Sequence, residues 1–80
     1  MKIEIDSDID AAYVYMGNEI VNGDVAKTIE VNSDIILDFD INGKLLGIEV
    51  LNASKNLTAD FLKKAVQVRA VWIEYFFETK

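Results

Sequence analysis

The chain contains no cysteine, no histidine and no proline among its 80 residues, and only four glycines. Without cysteine there is neither a disulfide framework nor a thiolate metal site; without histidine, zinc sites of the usual kind and histidine-based acid–base catalysis are excluded. The lack of proline and scarcity of glycine argue against a disordered or linker-rich chain. Long apolar runs are missing as well. No stretch approaches the length needed to span a bilayer, and the opening Met-Lys-Ile-Glu-Ile-Asp carries charge where a signal peptide needs apolar residues, so the expectation is a cytoplasmic protein with no membrane partner. Eighty residues allow a single domain, near the size at which one core only just suffices and oligomerisation often supplies further burial.

Positive charge is the scarce sign, with 8 Lys and Arg against 14 Asp and Glu for a net charge of −6. The imbalance is local: residues 1–54 hold 11 acids and 3 lysines, whereas residues 55–80 hold 3 acids and 5 bases. Phosphate binding depends on clustered Lys and Arg, so nucleic acid is a poor partner. The acidic part reads as a solvated sheet face, with a basic protein partner as the sharper alternative.

What is present is strand patterning. Lys2 to Asp6 alternates, with Ile3 and Ile5 on one face and Lys2, Glu4 and Asp6 on the other. Ser7 to Asp10 supplies turn residues and Ala11 to Met16 a second strand, which predicts a first hairpin. Gly17 to Asp24 reads as a loop with a turn signal at Asn22-Gly23, and Val25 to Val31 as a third strand ended by Asn32-Ser33-Asp34.

Asp38 to Glu49 satisfies every fixed position of the EF-hand calcium-loop pattern. A calcium loop must curl between two helices to converge its oxygens, yet Val31, Ile35, Ile36 and Leu37 before it are apolar in strand order. The same letters read better as two strands joined at Asn42-Gly43, a strong hairpin signal. A two-residue loop sets Phe39 opposite Leu46, Leu37 opposite Ile48 and Ile35 opposite Val50, with all six apolar side chains on one face. A three-residue loop would set Leu37 opposite Gly47 and break that face, so it is not expected, whereas a four-residue loop would keep the face.

In the C-terminal segment Thr58 is an N-cap candidate and Asp60 suits a first turn, while polar residues recur at 60, 63, 64, 67, 74 and 78 at helical period. The expectation is a helix over 58–78. The competing reading, from the β-branched and aromatic run after Val66, is a helix ending near 66 followed by a strand. A continued helix would be apolar on most of its circumference, and self-association through Trp72, Phe76 and Phe77 follows.

The run Ile36-Leu37-Asp38-Phe39-Asp40, then Gly43, then Gly47-Ile48-Glu49-Val50-Leu51-Asn52-Ala53-Ser54 resembles the small prokaryotic family known as domain of unknown function 2283. So does Asp10-Ala11 leading into Tyr13-Val14-Tyr15. The resemblance covers roughly residues 1–57 and implies a compact antiparallel sheet with a C-terminal helix. It implies no activity, cofactor or catalytic residue.

Three carboxylates, Asp38, Asp40 and Glu49, project from the hairpin face beside Gly47 and form the one candidate metal site. Strand residues two apart are separated by roughly 6.5–7 Å, so only a weak Ca²⁺ or Mg²⁺ site is conceivable. Gly47 itself reads as a place of close approach or a bulge. Ser54 reads as a turn or capping hydroxyl.

The sequence therefore predicts an α+β domain: an antiparallel β-meander of about five strands over 1–54, followed by a C-terminal helix. Its expected role is that of a non-enzymatic interaction module without a cofactor, acting as a homodimer or as the acidic, antitoxin-like partner of a basic protein. A weak divalent-cation binder and a small hydrolase are the alternatives.

Overall fold

The computed structural model describes residues 2–68. They form an α+β fold of six strands and two short helices: β1 (Lys2–Asp6), β2 (Ala11–Tyr15), β3 (Lys27–Glu30), β4 (Ile35–Phe39), β5 (Leu45–Leu51), α1 (Ala53–Asn56), α2 (Ala59–Leu62) and β6 (Val66–Gln67). The sheet runs β3-β4-β5-β2-β1-β6. All neighbours are antiparallel except β1 and β6, which are parallel. The order departs from a plain meander because β2 pairs with β5 and not with β3. The β1–β2 hairpin is thus one piece, the β3–β4–β5 meander another, and the β2–β5 seam joins them.

The β4–β5 hairpin contains the expected turn, with a different loop length. Gly43 N donates to Asp40 O (3.0 Å), Asp40 N donates to Lys44 O (2.9 Å), and Gly43 has φ +82°. This is a three-residue loop, Ile41-Asn42-Gly43, of the kind that places glycine at its left-handed position. Phe39 consequently faces Leu45 and not Leu46, which corrects the expected pair. One step further the register shifts, and Asp38 faces Gly47, Leu37 faces Ile48 and Ile35 faces Val50. Leu46 is the extra residue of a β-bulge, and its carbonyl accepts from Met16 N at 3.0 Å. The bulge cancels the odd loop, so Leu37, Ile48, Ile35 and Val50 still share one face.

That face also carries Ile3, Ile5, Ala12 and Val14. Buried Ala12, Val50 and Ala53 form its centre, with Ile5, Ile48, Leu57 and Leu62 packed around them. The apolar cover comes from α1 and α2, which lie on the connection from β5 to β6. Strand β5 is antiparallel to β2 and β2 to β1, so β6, parallel to β1, is also parallel to β5. A parallel return needs such a crossover, and this one passes the β2 and β1 positions.

Of the two readings of this segment, residues 59–68 follow the competing one in outline, a short helix and then a strand, and do not form the helix expected over 58–78. Thr58 caps α2 as anticipated, its Oγ1 accepting from Phe61 N (3.2 Å), and Asp60 lies in the first turn. The helix ends at Leu62, and Val66–Gln67 pair with Glu4 and Ile5, followed by Val68 N donating to Ile5 O at 2.8 Å. An open edge of β1 offers hydrogen bonds to a β-branched segment, and this tertiary pairing outweighs the helical period. The expectation beyond Val68 lies outside the described residues.

The corner where β2 begins and α1 starts holds two non-glycine residues in the left-handed region, Asp10 (φ 53°) and Asn52 (φ 50°). Both are held by several bonds. Ser54 N and Oγ donate to the Asp10 carboxylate at 3.0 and 2.7 Å, and Ala53 N donates to Asp10 O at 2.8 Å. Asn52 and Asn56 each donate to Asp34, at 3.1 and 3.0 Å, and these amides hold the Asp34 carboxyl below its usual range. The Asp10 and Asn52-Ala53-Ser54 letters are therefore the lock of one corner. Asn52→Ala and Asn52→Gly lose the same side-chain bonds, but only alanine resists a positive φ. The glycine variant should be the more stable of the two by about 1 kcal/mol in urea unfolding; equal stabilities would show that the corner backbone relaxes.

Candidate functional site

Alternation along β2 sends Ala12 and Val14 to the apolar core and Tyr13 and Tyr15 to the opposite face. Cross-strand pairing then builds that face residue by residue. Tyr13 lies opposite Glu4 on β1 and Glu49 on β5, and Tyr15 opposite Lys2 and Gly47. Gly47 in turn lies opposite Asp38 on β4, and Asp38 opposite Thr28 on β3. The charged face expected to be solvated is in fact closed: Glu4, Asp6, Asp38, Glu49, Tyr13 and Tyr15 are all buried, Asp38 and Glu49 to 0% exposure. The tyrosine rings lie along the sheet and not away from it, which turns a polar surface into an interior.

Tyr13 reaches furthest. Its hydroxyl crosses β5 and donates to Asp38 Oδ2 on β4 at 2.7 Å, while Thr28 Oγ1 on β3 donates to Asp38 Oδ1 at 2.8 Å. Gly47 is the gap in β5 that lets the ring pass: a Cβ there would sit 2.7 Å from Tyr13 Cζ and closer still to Cε1 and the hydroxyl oxygen. Tyr15 turns the other way and donates to Glu4 Oε1 at 2.8 Å. The two rings pack at a centroid distance of 4.8 Å and a tilt of 54°. Lys2 closes the line, with Nζ 3.4 Å from Glu4 Oε2 and 5.6 Å from the Tyr15 centroid. With Lys2 half exposed, that pair adds under about 1 kcal/mol.

Burial, followed by the hydrogen bond to Asp38 and its charge, pushes the Tyr13 hydroxyl far above its ordinary value of 10.0. Burial and the bond to Glu4 do the same for Tyr15. At neutral pH both phenols are donors held in place, so the arrangement fixes strands and presents no activated oxygen.

Of the candidate metal ligands, Asp38 and Glu49 lie on this buried face. Asp40 does not join them: its Oδ1 accepts from Asn42 N and Lys44 N, both at 2.9 Å, within the hairpin loop. Among the described residues no group of three or more acidic side chains is placed to hold a metal ion. Asp38 to Glu49 runs as strand, loop and strand, so the calcium-loop spelling is met by a hairpin. Trp72, Phe76 and Phe77, the expected interface, lie outside the described residues. Sequence reasoning missed the Tyr13–Asp38–Thr28 and Tyr15–Glu4 hydrogen bonds; the available signal was Gly47, whose empty space proves to be a ring passage beside a bulge.

Replacing Tyr13 by Phe removes a hydrogen bond to a carboxylate and should cost about 1.5–3 kcal/mol. Gly47→Ala forces the ring aside and should cost about 1–3 kcal/mol, much less when Tyr13 is also Ala, because the clash then has no second party. Additive losses in that cycle would place the Gly47 requirement elsewhere. A second expectation concerns alkali. Up to the unfolded value of 10.0 both states keep these phenols protonated; above it the unfolded chain loses protons that the folded chain retains, so stability falls as pH rises toward the folded values. Tyrosinate absorbance from Tyr13 and Tyr15 should appear only with cooperative unfolding, and their smooth titration near pH 10.0 in a folded protein would contradict the buried network.

Comparison with known proteins agrees with the resemblance seen in the letters. The uncharacterized protein MJ0789 of Methanocaldococcus jannaschii is 38% identical over 74 residues, an alignment covering 89% of this chain and 61% of that protein. The chain thus spans about three fifths of the length of that relative, and the shared region runs past residue 54. No solved structure matches the chain. The model of a family described as protein of unknown function (DUF2283) matches residues 2–54, which hold five of the six strands, the Tyr13–Gly47–Asp38 crossing and the Asp10–Ser54 corner, and the chain belongs to that family.

Proposed function

We propose that this chain is a non-enzymatic protein-interaction module that works by associating with a second copy of itself. The observation that carries this reading is the exposure of β3 along its whole length at the outer edge of the sheet. An edge strand is a template for pairing with another chain. Among the described residues the other edge is a two-residue strand, β6.

The same geometry weighs against a hydrolase. The acids that would have to do chemistry include Asp38, which is engaged by Tyr13 and Thr28, and Glu4, which is engaged by Tyr15 and Lys2. It also weakens the basic-partner alternative, since four of the eleven acids in residues 1–54 (Glu4, Asp6, Asp38 and Glu49) are buried and offer no charge to a partner. A cytoplasmic setting fits a domain of this size that has no cysteine for the disulfides that small secreted domains commonly use. Light scattering on the purified protein tests the reading: a dimer mass at micromolar concentration is expected. A monomer throughout that range would remove self-association and favour a different partner.

A further inference from the structure

We propose that two copies of this chain join edge to edge by antiparallel pairing of their β3 strands, in the register that sets Ile29 opposite Ile29 of the second copy. This rests on the interaction-module reading and names its surface.

The backbone sets the first condition. Val31 N donates to Ile35 O at 2.8 Å, and bonding groups alternate along an antiparallel ladder. Ile29 therefore turns its amide and carbonyl toward β4, and those of Thr28 and Glu30 point away from the sheet; at the Lys27 end Ala26 N donates to Phe39 O at 2.8 Å, so the alternation stops there. The second condition is symmetry. A two-fold axis normal to the sheet keeps like faces on the same side, so opposed residues must share a face. With Ile29 on the axis, Thr28 meets Glu30 of the second copy on both sides of it, and each pair exchanges N–H and C=O bonds in both directions. Lys27 then meets Val31.

Shape decides among the registers that meet these conditions. On the apolar face, at the Lys27 end of β3, lies a shallow depression lined by Lys27, Ile29, Phe39 and Gly43. Beyond the other end of the strand stands Val31, 58% exposed, with Ile29 at 39% between them. Lys27 and Val31 are four residues apart, about 13 Å along a strand, and symmetric about Ile29. In the proposed register Val31 of each copy comes to rest beside Lys27 of the other, in the depression. The strand is thus complementary to itself, as an interface between identical chains requires. Centring on Thr28 would carry Val31 past the depression, and centring on Glu30 would oppose two like charges. Among the described residues the helical cover follows the β5-to-β6 crossover, and Ile29 and Val31 on this side of the apolar face are exposed.

The absence of cysteine makes the test clean. Ile29→Cys brings two thiols together at a non-hydrogen-bonded pair, where Cα atoms lie about 4.5 Å apart, within disulfide range. Ile41→Cys, at the 84% exposed hairpin tip, is the control. Under mild oxidation the expected result is nearly complete cross-linking of Ile29→Cys within the time that leaves Ile41→Cys uncoupled, with light scattering giving a dimer for the unsubstituted chain. A dimer in which Ile29→Cys couples no faster than Ile41→Cys would overturn this surface and leave the interaction reading standing. A monomer whose Ile29→Cys variant also fails to couple would overturn both.

Discussion

The hydrogen bond from the Tyr13 hydroxyl to Asp38 is the constraint around which the sheet is organised. It starts on β2, passes over β5 and ends on β4, so it stitches the β1–β2 hairpin to the β3–β4–β5 meander across their seam. The passage requires a missing side chain at Gly47, and Gly47 must stand opposite Asp38. A three-residue loop at Ile41-Asn42-Gly43 would by itself place Gly47 opposite Leu37. The bulge at Leu46 moves it one step and opens the path. Loop length, bulge, glycine and tyrosine are therefore one solution to one geometric problem, and changing any of them displaces the others.

Much of this was legible in the letters and some was not. The alternation of Lys2 to Asp6 and the Asn42-Gly43 signal locate β1 and the β4–β5 hairpin because side-chain period and positive φ are local properties. The Leu46 bulge is not local: it reconciles a loop with a distant tyrosine, and no pattern of apolar residues reports it. The same holds for the polar face. Glu4, Asp38 and Glu49 look like solvated acids in sequence, since nothing adjacent to them says that Tyr13 and Tyr15 will lie down over the sheet. Residues 66–68 carried both a helical period and a β-branched composition, and the free edge of β1, far away in sequence, settled the matter. The Asp10, Asn52 and Ser54 letters that carry the family resemblance turn out to describe a backbone corner.

The two faces divide the labour. One is closed by two tyrosines whose hydroxyls donate to Asp38 and Glu4 across strands. Among the described residues the other is covered where the β5-to-β6 crossover lies, near Ala12 and Val50, and is exposed at β3. The proposed pairing would use the exposed edge at β3.

The crossover also bears on where the folding unit ends. The family match closes at residue 54, just inside α1, yet Leu57 and Leu62 pack on the core and β6 covers β1 from beyond that point. A nascent chain that has emerged only as far as Ser54 has all its hairpins and none of its lid: Ile5, Ala12 and Val50 are still facing water, and β1 is still a bare edge. The boundary of the family match and the boundary of the packed core are thus different lines on this chain, and the shorter of the two leaves out Leu57, Leu62 and β6.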